Sequence, residues 1–315
     1  MAGGPLKQLR KDVARVTVRP DGQIVIAPGL MSVGQGHETA LARMASKRLG
    51  VNLEDIIYQQ GDTDLLPSGR GSGGSAATVI GGSAVHGGVD EFIASGKSVA
   101  AGVLGCNADA IRFESGLFHH LWDKSKAPMD WADIASHSNT AGGLSVLGEF
   151  LPPDVTFPNG CHICEVEIDP ATGKVSFADY VVVEDVGTVL NQDLVEGQMH
   201  GGIAQGIGQA LGEILRYDNT GQLITGSFMD YQMPIAADLP NFRVSTIAVP
   251  TKINPLGAKG VGEAGTVGSL AATMNAVVDA MASVGVTNFE MPATPHRVWQ
   301  ALNAIKLCNK MRIGR

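Results

Sequence analysis

Apolar and polar residues alternate in two short runs near the start of the chain, at residues 14–19 and 23–28. An alternation with a period of two residues is typical of a strand that buries one face. Pro20-Asp21-Gly22 separates the two runs. Because aspartate–glycine between alternating segments is a strong turn signal, the first element is predicted to be a β-hairpin.

Longer stretches carry apolar residues at helical spacing. They predict helices over residues 38–49, 79–104, 195–215, 269–281 and 295–306. The third stretch has Val195, Met199, Ile203 and Ile207 on one stripe, yet six glycines interrupt it. Each interior glycine costs a helix about 0.5–1 kcal/mol relative to alanine. The glycines therefore indicate either close contact with another helix or a backbone that lies against a ligand.

The second half of the chain repeats the order of elements seen in the first. Residues 162–169 and 174–185 predict another hairpin, after which a glycine–glutamine segment opens a helix, as it does at residues 34–49. Further strands are predicted over Leu53–Gln59, Ile224–Tyr231 and Val244–Val249. We therefore predict the α+β class, with two lobes of mixed β-sheet packed with helices, over residues 1–155 and 156–315.

Composition and charge exclude several classes of protein. The chain is 44% hydrophobic and 17% charged, with a formal net charge of −8 and no cluster of basic residues, so we expect no nucleic-acid binding. We expect no membrane span and no signal peptide, and hence a cytoplasmic protein. Four cysteines are too few for a disulfide scaffold. Cys161 and Cys164 have metal-site spacing, but Cys164 opens an alternating strand and no second pair completes a four-thiolate site, which favours a core or strand-edge position.

Glycine is the outlier of the composition, with 41 of 315 residues concentrated in a few loops. Five glycines lie between residues 257 and 268, with Glu263 among them, and a helical pattern follows. Such glycines let backbone amides approach a ligand, and the helix start adds free N–H groups and the positive end of its dipole. The stretch is either a site or a solvated loop.

A second glycine-rich loop, residues 69–77, precedes another predicted helix. It contains the Gly-x-Gly-x-x-Gly spacing of dinucleotide-binding proteins, but residues 62–68 ahead of it read as a turn and not as the required strand. The Gly-Lys-Ser/Thr ending of a nucleotide-triphosphate loop is also missing. Because small residues expose amides and serines add hydroxyl donors, we predict an anion site here.

Five segments in order resemble the molybdenum hydroxylases, the group of xanthine dehydrogenase, aldehyde oxidoreductase and aerobic carbon monoxide dehydrogenase. They are GQGHETA (34–40), GSGGSAAT (71–78), VEGQMHGGIAQGIGQ (195–209), NPLGAKGVGEAGTVGS (254–269) and PATPHRVWQAL (292–302). The resemblance covers nearly the whole chain and corresponds to the C-terminal half of the family's molybdopterin-binding subunit. It implies the fold of the second molybdenum-cofactor-binding domain of that family.

The resemblance also implies a cofactor and a set of site residues. Molybdenum would be held by a pterin dithiolene and not by protein side chains, in the molybdopterin cytosine dinucleotide form that bacterial members usually carry. Cofactor-binding residues are implied at Gly34, Gln35, Gly36, Ser72, Gly74, Ser75, Ala77, Gln198, Gln205, Lys259, Gly260 and Gly262. Glu263 is implied as the catalytic base of a hydroxylation that uses water as its oxygen source.

Parts of the family pattern are absent from this chain. Its GVGEAG run departs from the GVGES of carbon monoxide dehydrogenases, and their copper-carrying loop is missing, which favours an N-heterocycle, purine or aldehyde as substrate. A substrate loop like GGGFGGK, cysteines for [2Fe-2S] clusters and a flavin site are also missing. The resemblance therefore implies a subunit with the other half of the molybdenum domain, an iron–sulfur subunit and a flavin subunit with FAD.

Two questions about the role of the chain stay open at the level of sequence. We expect a naturally split subunit, as in nicotinate dehydrogenases, in preference to a truncated gene product. The alternative to a catalytic subunit is a non-catalytic carrier of molybdopterin or nucleotide, or a remnant that only binds a partner.

Overall fold

The computed structural model of the chain describes residues 11–138 and 143–313, with side chains as far as residue 305. These residues form two units. The first comprises residues up to 157 with the segments 187–194 and 249–260, and the second comprises 158–186, 195–248 and the residues from 261 onward. Two segments of the predicted second lobe therefore lie in the first unit.

The first unit is built on a four-stranded sheet. The described residues of the unit form six strands: β1 (Asp12–Val18), β2 (Ile24–Pro28), β3 (Ile56–Tyr58), β4 (Ile111–Glu114), β5 (Leu117–His120) and β6 (Ser145–Phe150). The sheet has the order β3-β2-β1-β6, and β4 pairs with β5 separately. The predicted hairpin is confirmed, because β1 runs antiparallel to β2 and Val16 and Val18 are fully buried.

Three helices complete the first unit: α1 (His37–Leu49), α2 (Ser83–Leu104) and α3 (Trp131–His137). A widened turn of π-helical type, Ala77–Gly82, leads directly into α2. Phe92 of α2 stacks on Trp131 with ring centroids 4.6 Å apart, and Phe118 meets the same indole edge-on at 4.9 Å. This aromatic cluster fixes α2 and α3 on the core of the unit.

The second unit repeats the order of elements of the first. It contains β7 (Asn159–Ile168), β8 (Val175–Asp185), β9 (Arg243–Thr246), α4 (Gln192–Leu211, from Val195 onward), α5 (Ala264–Ala282) and α6 (Pro295–Ile313). β7 and β8 are antiparallel, and β8 runs parallel to β9. In both units a hairpin is followed by a helix and then by a strand parallel to the second strand of the hairpin. The predicted α+β class is confirmed.

Two predicted strands differ from the structure. Residues 224–231 are irregular, because Asp230 N donates to Ser227 O at 3.0 Å and Ser227 Oγ donates to Asp230 Oδ2 at 2.9 Å, which closes a turn. The strand predicted from Leu53 begins only at Ile56, after one 3₁₀ turn. Within the described ranges no helix is long and apolar enough to cross a membrane.

Candidate functional site

The loop Gly34-Gln35-Gly36 leads from β2 into α1. Gly34 has φ 108° and Gly36 has φ 72°, values in the left-handed region that favours glycine. Gln35 folds back on the loop, where its Oε1 accepts a hydrogen bond from Val33 N at 2.6 Å. A Cβ on Gly34 would meet no atom within 4 Å. The backbone of this loop is therefore accessible at the start of a helix.

The second glycine-rich loop, residues 69–77, lies beside the segment between β2 and α1 that carries Gly34-Gln35-Gly36. Gly71 N donates to Gly29 O at 3.0 Å, and the hydroxyl of Ser72 donates to Met31 O. The residues ahead of the loop form turns, which confirms that the dinucleotide-like spacing has no strand in front of it. The structure thus brings together two loops that are separated by about forty residues in sequence.

The second loop has an unusual backbone. Gly71 and Gly74 have φ of 70° and 60°, and Ser75 has φ of 53°. A positive φ is uncommon for a residue with a side chain, and such conformations cluster at functional sites. A Cβ on Gly71 or on Gly73 would meet no atom within 4 Å. Ala77 then begins the widened turn that leads into α2.

Buried polar atoms without a partner gather around these two loops. Ser32 Oγ, His37 Nδ1, Tyr58 Oη and Arg70 Nη1 have no hydrogen-bond partner within the described residues. Ser32 and His37 are only 8% and 9% exposed. An unsatisfied buried polar group costs about 1–3 kcal/mol, so four of them in one region indicate groups that a ligand satisfies.

Burial sets the charge state of two of these groups. It lowers the pKa of His37, although the charge of Glu38 partly opposes the shift, and it raises the pKa of Tyr58. Both side chains are therefore neutral near pH 7. Sequence analysis missed His37 and Arg70. The signal for Arg70 was a guanidinium inside a Gly/Ser loop, since its planar fork suits phosphate oxygens.

The two later segments of the first unit border the same region. The side chain of Leu194 lies against Gly36, where a Cβ would come within 2.5 Å of Leu194 Cδ2. Leu256 lies in the same way against the widened turn, where a Cβ on Gly82 would come within 3.1 Å of Leu256 Cδ1. Lys259 and Gly260 follow Leu256 closely and so belong to the unit that holds both loops.

In the second unit α4 and α5 pack with close backbone contact. A Cβ on Gly202 would come within 3.0 Å of Thr266 N, and a Cβ on Gly206 within 1.9 Å of Ser269 Oγ. Only glycine allows the two helices to approach this closely. Helix contact therefore explains part of the glycine content of α4.

Two other glycines of α4 face open space. A Cβ on Gly197 or on Gly201 would meet no atom within 4 Å. Gln198 and Gln205 lie on the same face, because residues three, four and seven apart neighbour each other on a helix. Gln205 is exposed, and its Oε1 accepts from the Thr266 hydroxyl at 3.3 Å. A bare backbone strip between two amides suits a flat heterocycle with donors and acceptors.

Glu263 occupies the N-cap position of α5, and its side chain is exposed in this chain. Its carbonyl accepts the first helical hydrogen bond, from Val267 N at 3.0 Å. Thr266, in the same turn, bonds Gln205 on α4. Glu263 and the open face of α4 are thus presented by one pair of packed helices.

The candidate residues divide between the two units. Gly34, Gln35, Gly36, Ser72, Gly74, Ser75, Ala77, Lys259 and Gly260 lie in the first unit, and Gln198, Gln205, Gly262 and Glu263 lie in the second. Across the residues with described side chains, no three His, Cys, Asp or Glu groups converge as metal ligands. The donors are amides, hydroxyls and one guanidinium beside open glycines, a set that fits an organic cofactor with phosphate and heterocyclic parts.

Comparison with protein families gives one match that covers more than half of the chain. Residues 2–240 match the family described as molybdopterin cofactor-binding domain. All of the candidate residues in the two loops and on α4 fall within this range.

Individual proteins support the same comparison. The chain is 36% identical over 296 residues to the carbon monoxide dehydrogenase large chain of Hydrogenophaga pseudoflava, covering 92% of this chain and 37% of that protein. It is 37% identical over 303 residues to the nicotine 6-hydroxylase large subunit of Paenarthrobacter nicotinovorans, covering 93% and 37%. The chain therefore spans little more than a third of these relatives.

Solved structures show the same partial match. The crystal structure of a Cu,Mo carbon monoxide dehydrogenase superposes with a TM-score of 0.86 at 30% identity, over 97% of this chain and 40% of that chain. Quinoline 2-oxidoreductase from Pseudomonas putida 86 superposes with a TM-score of 0.82 at 35% identity, over 93% and 38%.

Proposed function

Because the chain belongs to the molybdopterin cofactor-binding domains of the molybdenum hydroxylase family, we propose that it cradles part of a molybdenum–pterin cofactor and supplies the general base of a hydroxylase. The observation that carries the proposal is the pair of helices α4 and α5. One pair presents two glutamine amides on an open glycine strip and a carboxylate at a helix N-cap. A non-catalytic cofactor carrier needs only the glutamine amides on the glycine strip, whereas a hydroxylase needs both these amides and the carboxylate.

The cofactor, when bound, would supply the redox chemistry, and residues of this chain would supply contacts to it. The loops at residues 34–36 and 72–77 would hold the phosphate-bearing end through amides and hydroxyls. Gln198 and Gln205 would hydrogen-bond the pterin ring, whose donors and acceptors match an amide. We propose the cytosine dinucleotide form, which the family resemblance implies, and the open backbone and neighbouring donors of the second loop suit its phosphates.

Glu263 would accept a proton on a carboxylate oxygen during hydroxylation with water as the oxygen source. A general base must reach the proton that it accepts, and Glu263 has an exposed side chain at the N-cap of α5. The position of the Glu263 backbone is also fixed, since close contacts at the glycines of α4 hold α5 against that helix. Lys259, Gly260 and Gly262 would bring the backbone of the chain into contact with the cofactor.

For the substrate we propose an N-heterocycle, with purines and aldehydes as related candidates. Two relatives of comparable identity are named for nicotine and quinoline, which are both N-heterocycles. The GVGEAG sequence at Glu263 argues against carbon monoxide. Because the chain spans only a fraction of its relatives, we also propose cytoplasmic partners: a subunit with the rest of the molybdenum domain, an iron–sulfur subunit and a flavin subunit.

The proposal is tested with Glu263→Gln in the assembled enzyme. We expect unchanged molybdenum and cytosine nucleotide content, with turnover of an N-heterocycle lowered about 10²–10⁴-fold, the usual contribution of a general base. Glu167→Gln, an exposed position on β7, is the control and should keep native turnover. Near-native turnover of the Glu263 variant would refute its role as base. A complex that contains neither molybdenum nor cytosine nucleotide would refute the cofactor.

A further inference from the structure

Arg70 lies between two glycines in the second loop and has an unusual environment. Its backbone N donates to Asp12 Oδ1 at 3.3 Å, whereas its side-chain Nη1 is buried with no hydrogen-bond partner within the described residues. A guanidinium carries five N–H donors and stays charged at all physiological pH values. A buried charged donor without an acceptor is costly, so this position calls for a specific partner.

Asp12 interacts electrostatically with Arg70, but the hydrogen bonds of its carboxylate go to backbone groups. It is 1% exposed, and its Oδ1 accepts from Val13 N at 3.0 Å as well as from Arg70 N. A Cβ on Gly29 would come within 2.2 Å of the same oxygen. Asp12 therefore anchors the backbone of the two loops, while Nη1 of Arg70 keeps its bonding capacity.

The guanidinium borders the open side of the glycine-rich loop. A Cβ on Gly74 would lie 3.8 Å from Arg70 Nη2 and would meet no closer atom outside its chain neighbours. The adjacent Gly73 faces open space, and Ser75 has the positive φ described above. The charge of Arg70 thus lies beside the amides and the hydroxyl that the sequence assigns to an anion.

The segment between β2 and α1 and the first residue of α1 add two more unsatisfied polar atoms. Ser32 Oγ and His37 Nδ1 are each in side chains more than nine-tenths buried, and neither atom has a partner. The hydrogen bond from Gly71 N to Gly29 O joins the second loop to the segment between β2 and α1. A permanent cation, a hydroxyl and a neutral imidazole in one region match a ligand that carries several negative oxygens.

We propose that the guanidinium of Arg70 binds a phosphate group of the cofactor, and that Ser32 and His37 form further hydrogen bonds with the same phosphate. The inference rests on the proposed function, because the phosphate belongs to the proposed cofactor. It adds a residue outside the motifs that carry the family resemblance. The shared chemistry is a phosphoryl group, whose source is either the pterin's own phosphate or the diphosphate that links a nucleotide.

The test measures binding of inorganic pyrophosphate, orthophosphate and cytidine monophosphate to the purified full chain by calorimetry. We expect Arg70→Ala to weaken pyrophosphate binding about 10-fold or more, because a charge-assisted fork is lost. Arg70→Lys keeps the charge but loses the planar fork, so its affinity for pyrophosphate should lie between that of the parent and that of Arg70→Ala. Arg43→Ala, an exposed arginine within α1, is the matched control and should bind as the parent does.

The outcomes separate this inference from the proposed function. Equal pyrophosphate affinity of the parent and Arg70→Ala, or no binding by the parent at millimolar concentration, would overturn the role of Arg70. Circular dichroism checks that each variant is folded, and Arg70→Gln replaces Arg70→Ala if the alanine variant unfolds. Tighter binding of pyrophosphate than of orthophosphate supports the site with a diphosphate as ligand, and the reverse order supports it with a monophosphate. Absence of molybdenum from the native complex would defeat the proposed function instead.

Discussion

His162 and Glu184 form a buried hydrogen-bonded pair in the second unit, with Nε2 3.2 Å from Oε1 and side chains only 4% and 6% exposed. On the other side of the imidazole, Nδ1 lies 2.8 Å from the hydroxyl of Tyr180. Burial raises the pKa of Tyr180, so the phenol is neutral and can donate to Nδ1. Nε2–H then donates to Glu184, and all three side chains are satisfied in one chain of hydrogen bonds.

We predict that breaking this chain destabilises the second unit strongly. His162→Leu leaves the Glu184 carboxylate buried without its partner and should lower the free energy of unfolding by about 3–5 kcal/mol. Tyr180→Phe removes one hydrogen bond and should cost about 1 kcal/mol. Urea denaturation of the purified chain measures both changes. An unfolding free energy of His162→Leu within 1 kcal/mol of the parent value would show that the pair contributes little to stability.

The two kinds of glycine on α4 predict opposite effects of alanine. Gly206→Ala places a Cβ 1.9 Å from Ser269 Oγ and 2.9 Å from Thr266 O, so α4 and α5 must move apart and stability should fall by about 1–3 kcal/mol. Gly201→Ala meets open space and should stabilise the cofactor-free chain by about 0.5–1 kcal/mol through helix propensity. Thermal unfolding of the two variants beside the parent provides the comparison.

The same Gly201 variant also bears on the proposed function. If the open strip of α4 lies against a pterin, the added methyl group should lower the molybdenum content of the assembled enzyme although the chain itself is more stable. A variant that is stabilised and fully loaded would show that the open strip faces solvent.

The cysteines of β7 predict a pH-dependent difference in reactivity. Burial raises the pKa of the Cys164 thiol to about 11, whereas Cys161 is exposed. Only the thiolate reacts with iodoacetamide, so alkylation of Cys164 should be slow at pH 7 and should rise about tenfold per pH unit as the pH approaches 11. Mass spectrometry after timed labelling should show Cys161 modified first. Equal rates at pH 7 would contradict the shifted pKa.

The parts of the fold that were predicted correctly depend on local patterns. The hairpin of β1 and β2 follows from alternation around one Asp-Gly turn, and α4 follows from a single apolar stripe. The expected strand position of Cys164 is confirmed on β7, and the strand also includes Cys161, which precedes the predicted start at residue 162. The strand predicted over residues 224–231 was wrong because a side-chain-closed turn outweighs the alternation.

The parts that were not predicted depend on contacts between distant residues. No local signal places Leu194 against Gly36, since the two residues are more than 150 positions apart. The pairing of His162 with Glu184 needs the register of β7 on β8, which sequence spacing leaves open. The roles implied for Gln205 and Glu263 came from a family resemblance, and the structure adds that Thr266 links their two helices.

The way the chain divides between its two units has a consequence for any attempt to dissect it. The polypeptide leaves the first unit after residue 157, returns for 187–194, leaves again and returns for 249–260. A gene fragment that ends at the first crossing would lack Leu194 and Leu256, which fill the space beside Gly36 and the widened turn. Neither unit is a contiguous stretch of sequence, so we expect no single contiguous fragment to fold as one complete unit.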